Sequence, residues 1–254
     1  MTRRPSLAIL LVVMVVCFMF GILTVLASQP GRLASASPTP TPTFISPRRP
    51  DQQTILILGV DGLAETAPKL EAVWIATYRL PAKDLFLLGV PTDLKPDEDA
   101  PSRLSDLFAF SAERGVDPAF IQELQLIVPL PMNAVVVLDE QAFGVTIDYL
   151  GGIQVNGAEM NGAQVISVVG LLRENPSALL TAQQHFVEAM TARVSSLDSH
   201  PDLSPLLELL PEHAFISVDV KALVDEVAPL LPLRPEAIHI DLPWAQASPQ
   251  PQSP

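Results

Sequence analysis

The segment "EAVWIATYRLPAKDLFLLGVPTDL", residues 71–94, decides the fold. Two apolar runs, 71–80 and 84–90, flank the turn residues "PAKD". Short apolar runs bounded by turn chemistry read as buried strands, so this is a β-hairpin in a sheet covered on both faces. The second run changes character at Pro91-Thr92-Asp93, where a strand either turns a corner or delivers a carboxylate to the mouth of a site.

Outward from the hairpin, "TILILGV" (54–60) is a third strand, stopped by Asp61-Gly62. The segments 102–115 and 117–128 read as helices, the second with Asp117 as cap and Pro118 at its first position. Residues 133–138, "NAVVVL", are strand, and 139–152 a helix that opens on acids and stops at Gly151-Gly152. Helices follow at 162–172 and 177–197. The end, "AFISVD" (214–219), "VKALVDEVAPLL" (220–231) and "AIHIDL" (237–242), reads as one more βαβ-like unit. Interleaved strands and helices predict an α/β domain of three layers, α-β-α, around a central mixed sheet.

The flanks set the address. Leu7 to Ala27 carries no charge over 21 residues, enough to cross a bilayer core of ~30 Å at ~1.5 Å per residue. Arg3 and Arg4 precede it, so a retained signal-anchor would leave the N-terminus cytoplasmic and the rest outside. A cleaved signal peptide is the competing reading, because "ASASP" offers small residues to a peptidase; the apolar run exceeds the ~7–15 residues usual for one. The expected layout is a cytoplasmic stub and transmembrane segment (1–27), a Pro/Thr/Ser-rich spacer (28–53), a folded domain (54–243) and a disordered tail (244–254).

Charge narrows the partners. The chain has a formal net charge of −13, and between residues 54 and 243 it carries 10 Lys/Arg against 27 Asp/Glu, a net of −17. Such a body excludes sequence-independent nucleic-acid binding, which needs a basic face. Cys17 is the only cysteine, so no disulfide forms within the chain. The four histidines, at 185, 200, 213 and 239, lack zinc-ligand spacing, and no G-x-S-x-G nucleophile elbow is present.

In order and spacing, "TILILGVDG", "EAVWIATYRLPAKDLFLLGVPTDL" and "LPMNAVVVLDEQAFGVTIDYLGGIQV" resemble the LytR-CpsA-Psr family. The closing unit "FISVDVKALVDEVAPL…AIHIDLP" is similar as well. The resemblance implies membrane-anchored, extracytoplasmic transferases of cell-envelope glycopolymers. These take a polymer linked through pyrophosphate to a polyprenyl lipid and pass it to a cell-wall acceptor. It further implies an apolar tunnel for the lipid, with arginines and Mg²⁺ at its mouth for the diphosphate. Arg forks suit phosphate oxygens, and carboxylates suit Mg²⁺ and an attacking hydroxyl.

Residue by residue, the resemblance assigns catalytic and metal roles to Asp61 and Asp93, a further metal role to Glu71, and phosphate contacts to Arg103, Arg173 and Thr92. Departures from the family pattern are concentrated in its cations. Leu63 follows Asp61 where an Arg belongs, Glu71 replaces an Asp, and Thr92 stands at the phosphate-gripping Arg. In "VVGLLRENPSALLTAQQ" Gly170, Leu179 and Ala182 stand for arginines, while Gln183 and Gln184 match. Each charged hydrogen bond to phosphate contributes ~1.5–3 kcal/mol, so losing several guanidinium groups removes most of the anion affinity. Three functions remain open: an impaired transferase, a non-catalytic module that binds a lipid or glycan or serves as an envelope interaction module, and, behind both, a generic membrane-tethered domain of unrelated function. Read singly, Asp61-Gly62 is ordinary turn chemistry, Glu71 at a strand start is solvated, and Arg173 is a cation at a helix C-terminus.

Overall fold

The computed structural model describes residues 52–80, 82–97, 99–194, 212–227 and 235–244. The expected transmembrane segment, nearly all of the spacer and most of the tail lie outside those residues. Among the described residues, no helix is long and apolar enough to cross a membrane.

Among the described residues, ten strands and six α-helices follow one another. The main strands are β1 (Gln52–Val60), β2 (Leu70–Arg79), β3 (Asp84–Val90), β6 (Ala134–Asp139), β9 (Ala214–Ile216) and β10 (Ile238–Asp241). They form a six-stranded mixed sheet in the order β10-β3-β2-β1-β6-β9. β2 runs antiparallel to β1 and β3, whereas β6 is parallel to β1 and β10 parallel to β3. Two small ribbons, β4 (Phe110–Ser111) with β5 (Gly115–Val116) and β7 (Ile153–Val155) with β8 (Ala158–Met160), stand apart from it. The helices are α1 (Leu104–Leu107), α2 (Pro118–Ile127), α3 (Glu140–Tyr149), α4 (Gly162–Leu172), α5 (Pro176–Val194) and α6 (Val220–Val227).

The period of two along each strand splits the core into two layers. Ile55 and Ile57 of β1, with Trp74, Ala76, Val136 and Leu138, face Leu180 and Val187 of α5. Leu56, Leu58 and Val60, with Val73, Ile75, Val135 and Val137, face Leu104 of α1 and Phe120 and Leu124 of α2. A third cluster joins α3, α4 and α5 through Ile147, Val165, Val169, Leu179, Phe186 and Met190. Helices thus cover both faces, as the near-continuous apolar strands predict. Burying each such side chain contributes ~1.5–3 kcal/mol.

Local chemistry sets the helix starts. Asp117 Oδ1 accepts from Ala119 N at 2.9 Å with Pro118 behind it, and Asp139 Oδ1 accepts from Ala142 N at 2.9 Å. Asn161 and Gln164 exchange side-chain bonds in a capping box at α4, both at 2.9 Å. Helices α3 and α4 touch through glycines: a Cβ on Gly162 would lie 2.0 Å from the Gly144 carbonyl oxygen.

Two expectations are corrected. The helix expected over 102–115 stops after Leu107, and the chain continues into the β4–β5 ribbon. Phe108 packs edge-on to Phe120 at 5.3 Å and Phe110 to Phe215 at 5.4 Å. Both rings enter the same core layer from positions two apart, which extended chain permits and a helix does not. The βαβ-like unit at the end is not one, because β9 and β10 lie at opposite edges of the sheet. β9 pairs antiparallel with β6, and β10 parallel with β3. Finally, the β7–β8 hairpin was not foreseen, although its turn residues Asn156 and Gly157 both take positive φ, 51° and 82°.

Candidate functional site

One end of the sheet gathers most of the polar groups of interest. It carries the C-terminal tips of β1, β3 and β6 and the N-terminal tips of β2 and β9. The central feature there is a β-bulge. Gly59 pairs with Ala72 but Val60 pairs with Leu70, leaving Glu71 as the extra residue. A bulge re-aims a side chain, and here Glu71 sits beside α4 and α5 instead of pointing to water. The sequence reading of Glu71 as solvated is therefore corrected: the residue is 6% exposed.

Two elements hold Glu71. Gln183 of α5 donates from Nε2 to the Glu71 carbonyl at 2.9 Å and accepts from Trp74 Nε1 at 3.3 Å. Its amide therefore ties α5 to two positions of β2. Arg173, the residue that caps the C-terminus of α4, donates from Nε to the Glu71 carboxylate. The same guanidinium donates from Nη2 to Glu140 Oε1 at 2.6 Å, and Glu140 occupies the first turn of α3. One cation thus bridges two acids from two different elements.

Burial pushes the Glu71 carboxyl up to about 7; the Arg173 hydrogen bond opposes this, and the nearby Glu140 charge adds to it. Arg173 is held above its ordinary value, because its two carboxylate partners outweigh the desolvation it suffers.

Beneath this cluster lies a pocket between the sheet and α3–α5, with a cavity volume of about 60 Å³. Trp74, Leu138, Phe143, Ile166, Val169 and Val187 supply its apolar wall. Glu71, Asp139, Glu140 and Gln183 supply the polar margin. A single water needs ~10–15 Å³, so the space exceeds a packing void and suits a slender apolar group. Asp139 has a second role at the margin: its Oδ2 lies 2.7 Å from His213 Nδ1, tying β9 to the start of α3.

The other expected residues lie elsewhere along this end. Asp61 Oδ1 accepts from Gly62 N at 3.0 Å and from Lys69 N at 2.8 Å, closing the β1–β2 loop. Thr92 is buried, and its carbonyl accepts from Ser105 N at 2.8 Å. Asp93 is half-buried in the same turn, and Arg103 is exposed just before α1. Leu104 N bonds to the Leu94 carbonyl at 2.9 Å, so Thr92, Asp93 and Arg103 share one neighbourhood. Among the described residues, Asp93 and Arg103 form no ion pair.

Asp61 and Asp93 follow parallel strands separated by β2, two strand spacings or ~10 Å apart. Glu71 is engaged by Arg173 between them. These three carboxylates do not converge on a common point, and no group of three His, Cys, Asp or Glu that could hold a metal ion exists among the described residues.

Of the residues singled out from sequence, the structure joins Glu71 directly to Arg173. Sequence reasoning missed Glu140, Asp139, His213 and Trp74 as parts of the margin. The acids at 139 and 140 were legible as a helix start; their convergence on Arg173 and His213 depends on pairings 33 and 74 residues apart.

No protein-family model matches the sequence, and no curated protein matches it. Solved structures do. TagV of B. subtilis superposes with a TM-score of 0.57 at 14% identity, covering 76% of this chain and 84% of that one. A structure of TagT bound to LIIa-WTA gives 0.54 at 14% identity, covering 76% and 79%. Protein gbs0355 from Streptococcus agalactiae gives 0.57 at 13%, covering 76% of each chain. The chain has the LytR-CpsA-Psr fold. At this identity the likeness establishes the architecture, and within the LytR-CpsA-Psr fold the chain is a divergent example.

Proposed function

We propose that this protein is a membrane-anchored, extracytoplasmic component of cell-envelope glycopolymer assembly. In this reading its LytR-CpsA-Psr-fold domain seats the apolar chain of a lipid and transfers diphosphate-linked polymers weakly or not at all. The observation that carries it is the engagement of Arg173. Glu71 and Glu140 of the pocket margin are both hydrogen-bonded to the one guanidinium of Arg173. A diphosphate arriving there meets two carboxylates for one cation that is already neutralised, the reverse of what a pyrophosphate leaving group needs. The apolar wall favours a chain, and its place between sheet and helices supports a lipid over a sugar.

The fold favours a second reading, an active transferase. Its likeness to TagT, whose structures are described as bound to LI-WTA and LIIa-WTA, supports a glycopolymer-linked substrate. In that case Arg173 would have to leave its carboxylates, with Arg103 and Thr92 as further contacts to the anion.

A photoreactive lipid tests the main reading. The full chain in nanodiscs, labelled with a polyprenol bearing a diazirine in its chain, should be modified on peptides containing Trp74 and Val169. Labelling confined to other parts of the domain would contradict it.

A further inference from the structure

The pocket margin is unusual in its charge state as well as its shape. Every strong charge there is already spoken for: Arg173 by Glu71 and Glu140, and Asp139 by His213 and the first turn of α3. No buried side-chain polar atom among the described residues lacks a hydrogen-bond partner. The groups facing Glu71 are Arg173 at the end of α4, Glu140 of α3 and the uncharged Gln183 of α5, with Asp139 on the same margin.

We propose that this pocket selects a lipid whose chain ends in an uncharged hydroxyl over one ending in a phosphate or an ammonium. The inference rests on the apolar-chain reading above and adds the head group to it. A phosphate head must first separate Arg173 from two carboxylates and then remain beside them. Separating Arg173 from Glu71, whose side chain is 5% exposed, strands a buried carboxylate, a costly step in a low-dielectric setting. An ammonium head must enter beside Arg173 and compete with it. A hydroxyl needs neither. It donates one hydrogen bond to a carboxylate oxygen, since each carboxylate offers about four lone-pair sites and the bonds to Arg173 use only some of them. It also leaves water at far smaller cost than either ion.

Trp74 lines the pocket and Trp244 lies on the other face of the sheet, so fluorescence reads occupancy once Trp244 is replaced. The Trp244→Phe full chain in nanodiscs is titrated with octan-1-ol, octylamine and octyl phosphate, with empty nanodiscs as reference. Octanol is expected to saturate the Trp74 response at a concentration about tenfold below the other two. Adding Glu71→Gln and Glu140→Gln releases Arg173, and octyl phosphate affinity should then rise by about tenfold or more, removing the preference for octanol. Should that variant fail to fold, Glu140→Gln alone, at a position whose side chain is 23% exposed, carries the same prediction with a smaller gain. Octyl phosphate binding as tightly as octanol to the parent chain would overturn the head-group inference while leaving the apolar-chain reading standing. A chain in which no probe gives a saturable Trp74 response overturns both.

Discussion

Arg173 reaches across 102 positions of sequence to hydrogen-bond the carboxylate of Glu71, whose side chain is 5% exposed. The pair fastens the end of α4 to the start of β2, directly over the apolar pocket. Its consequences reach stability, pH response and ligand choice.

Removing the cation should be costly. Arg173→Ala leaves Glu71 buried and Glu140 facing it with no counter-charge. A loss of ~2–4 kcal/mol at neutral pH is expected, as for a broken pair with one deeply buried member. Chemical denaturation measures it. Arg173→Lys should recover only part of the loss, because an ammonium cannot hold both acids with the fork of a guanidinium.

The pH dependence has a definite sign. The Glu71 carboxyl is raised from its ordinary 4.5 to about 7 in the folded protein. A raised carboxyl binds its proton more tightly when folded, so its contribution to stability is complete below the unfolded value and fades as pH rises through the folded one. The parent chain should therefore lose stability relative to Glu71→Gln between about pH 4.5 and pH 7, read from melting temperatures across that range. A difference between the two that stays flat over this window contradicts the assignment.

Asp139 is expected to matter more than its partner His213. Asp139→Ala removes both the cap of α3 and the bond to β9, and should cost ~1–2 kcal/mol for the cap alone. His213→Ala leaves the cap in place and should cost less. Equal losses in urea melts would mean that the contact to β9 dominates.

The α3–α4 crossing should reject a methyl group. Gly162→Ala places a Cβ 2.0 Å from the Gly144 carbonyl oxygen, a backbone atom that cannot swing away. Overpacking of this kind costs ~1–3 kcal/mol. Thermal unfolding of the variant should show the loss, and Gly170→Ala, where nothing lies within 4 Å, should not.

How much of this was legible in the sequence depends on range. The strands 54–60, 71–80, 84–90 and 133–138 announced themselves by apolar runs between turn residues, and each lies within a residue or two of where the structure has it. The caps Asp117, Asp139 and the Gly151-Gly152 stop were readable because capping is local chemistry. The 102–115 segment misled because Phe108 and Phe110 choose extended chain to reach Phe120 and Phe215, a tertiary demand that overrides local preference. The end of the chain misled because the strand–helix–strand pattern does not say that β9 and β10 occupy opposite edges. At the site, the resemblance brought Glu71 and Arg173 into view as separate ligands. Their union depends on a bulge at Gly59/Val60, and nothing in "ILGVDG" announces one.

The central claim is that Arg173 serves the protein's own carboxylates and not a diphosphate. Release of polyprenyl phosphate from a polyprenyl-diphosphate-linked glycan, by the full chain in nanodiscs with and without Mg²⁺, measures this most directly. The account predicts release no faster than from protein-free nanodiscs, or a trace that is unchanged in Arg173→Ala. Sustained turnover that disappears when Arg173 is replaced would contradict it.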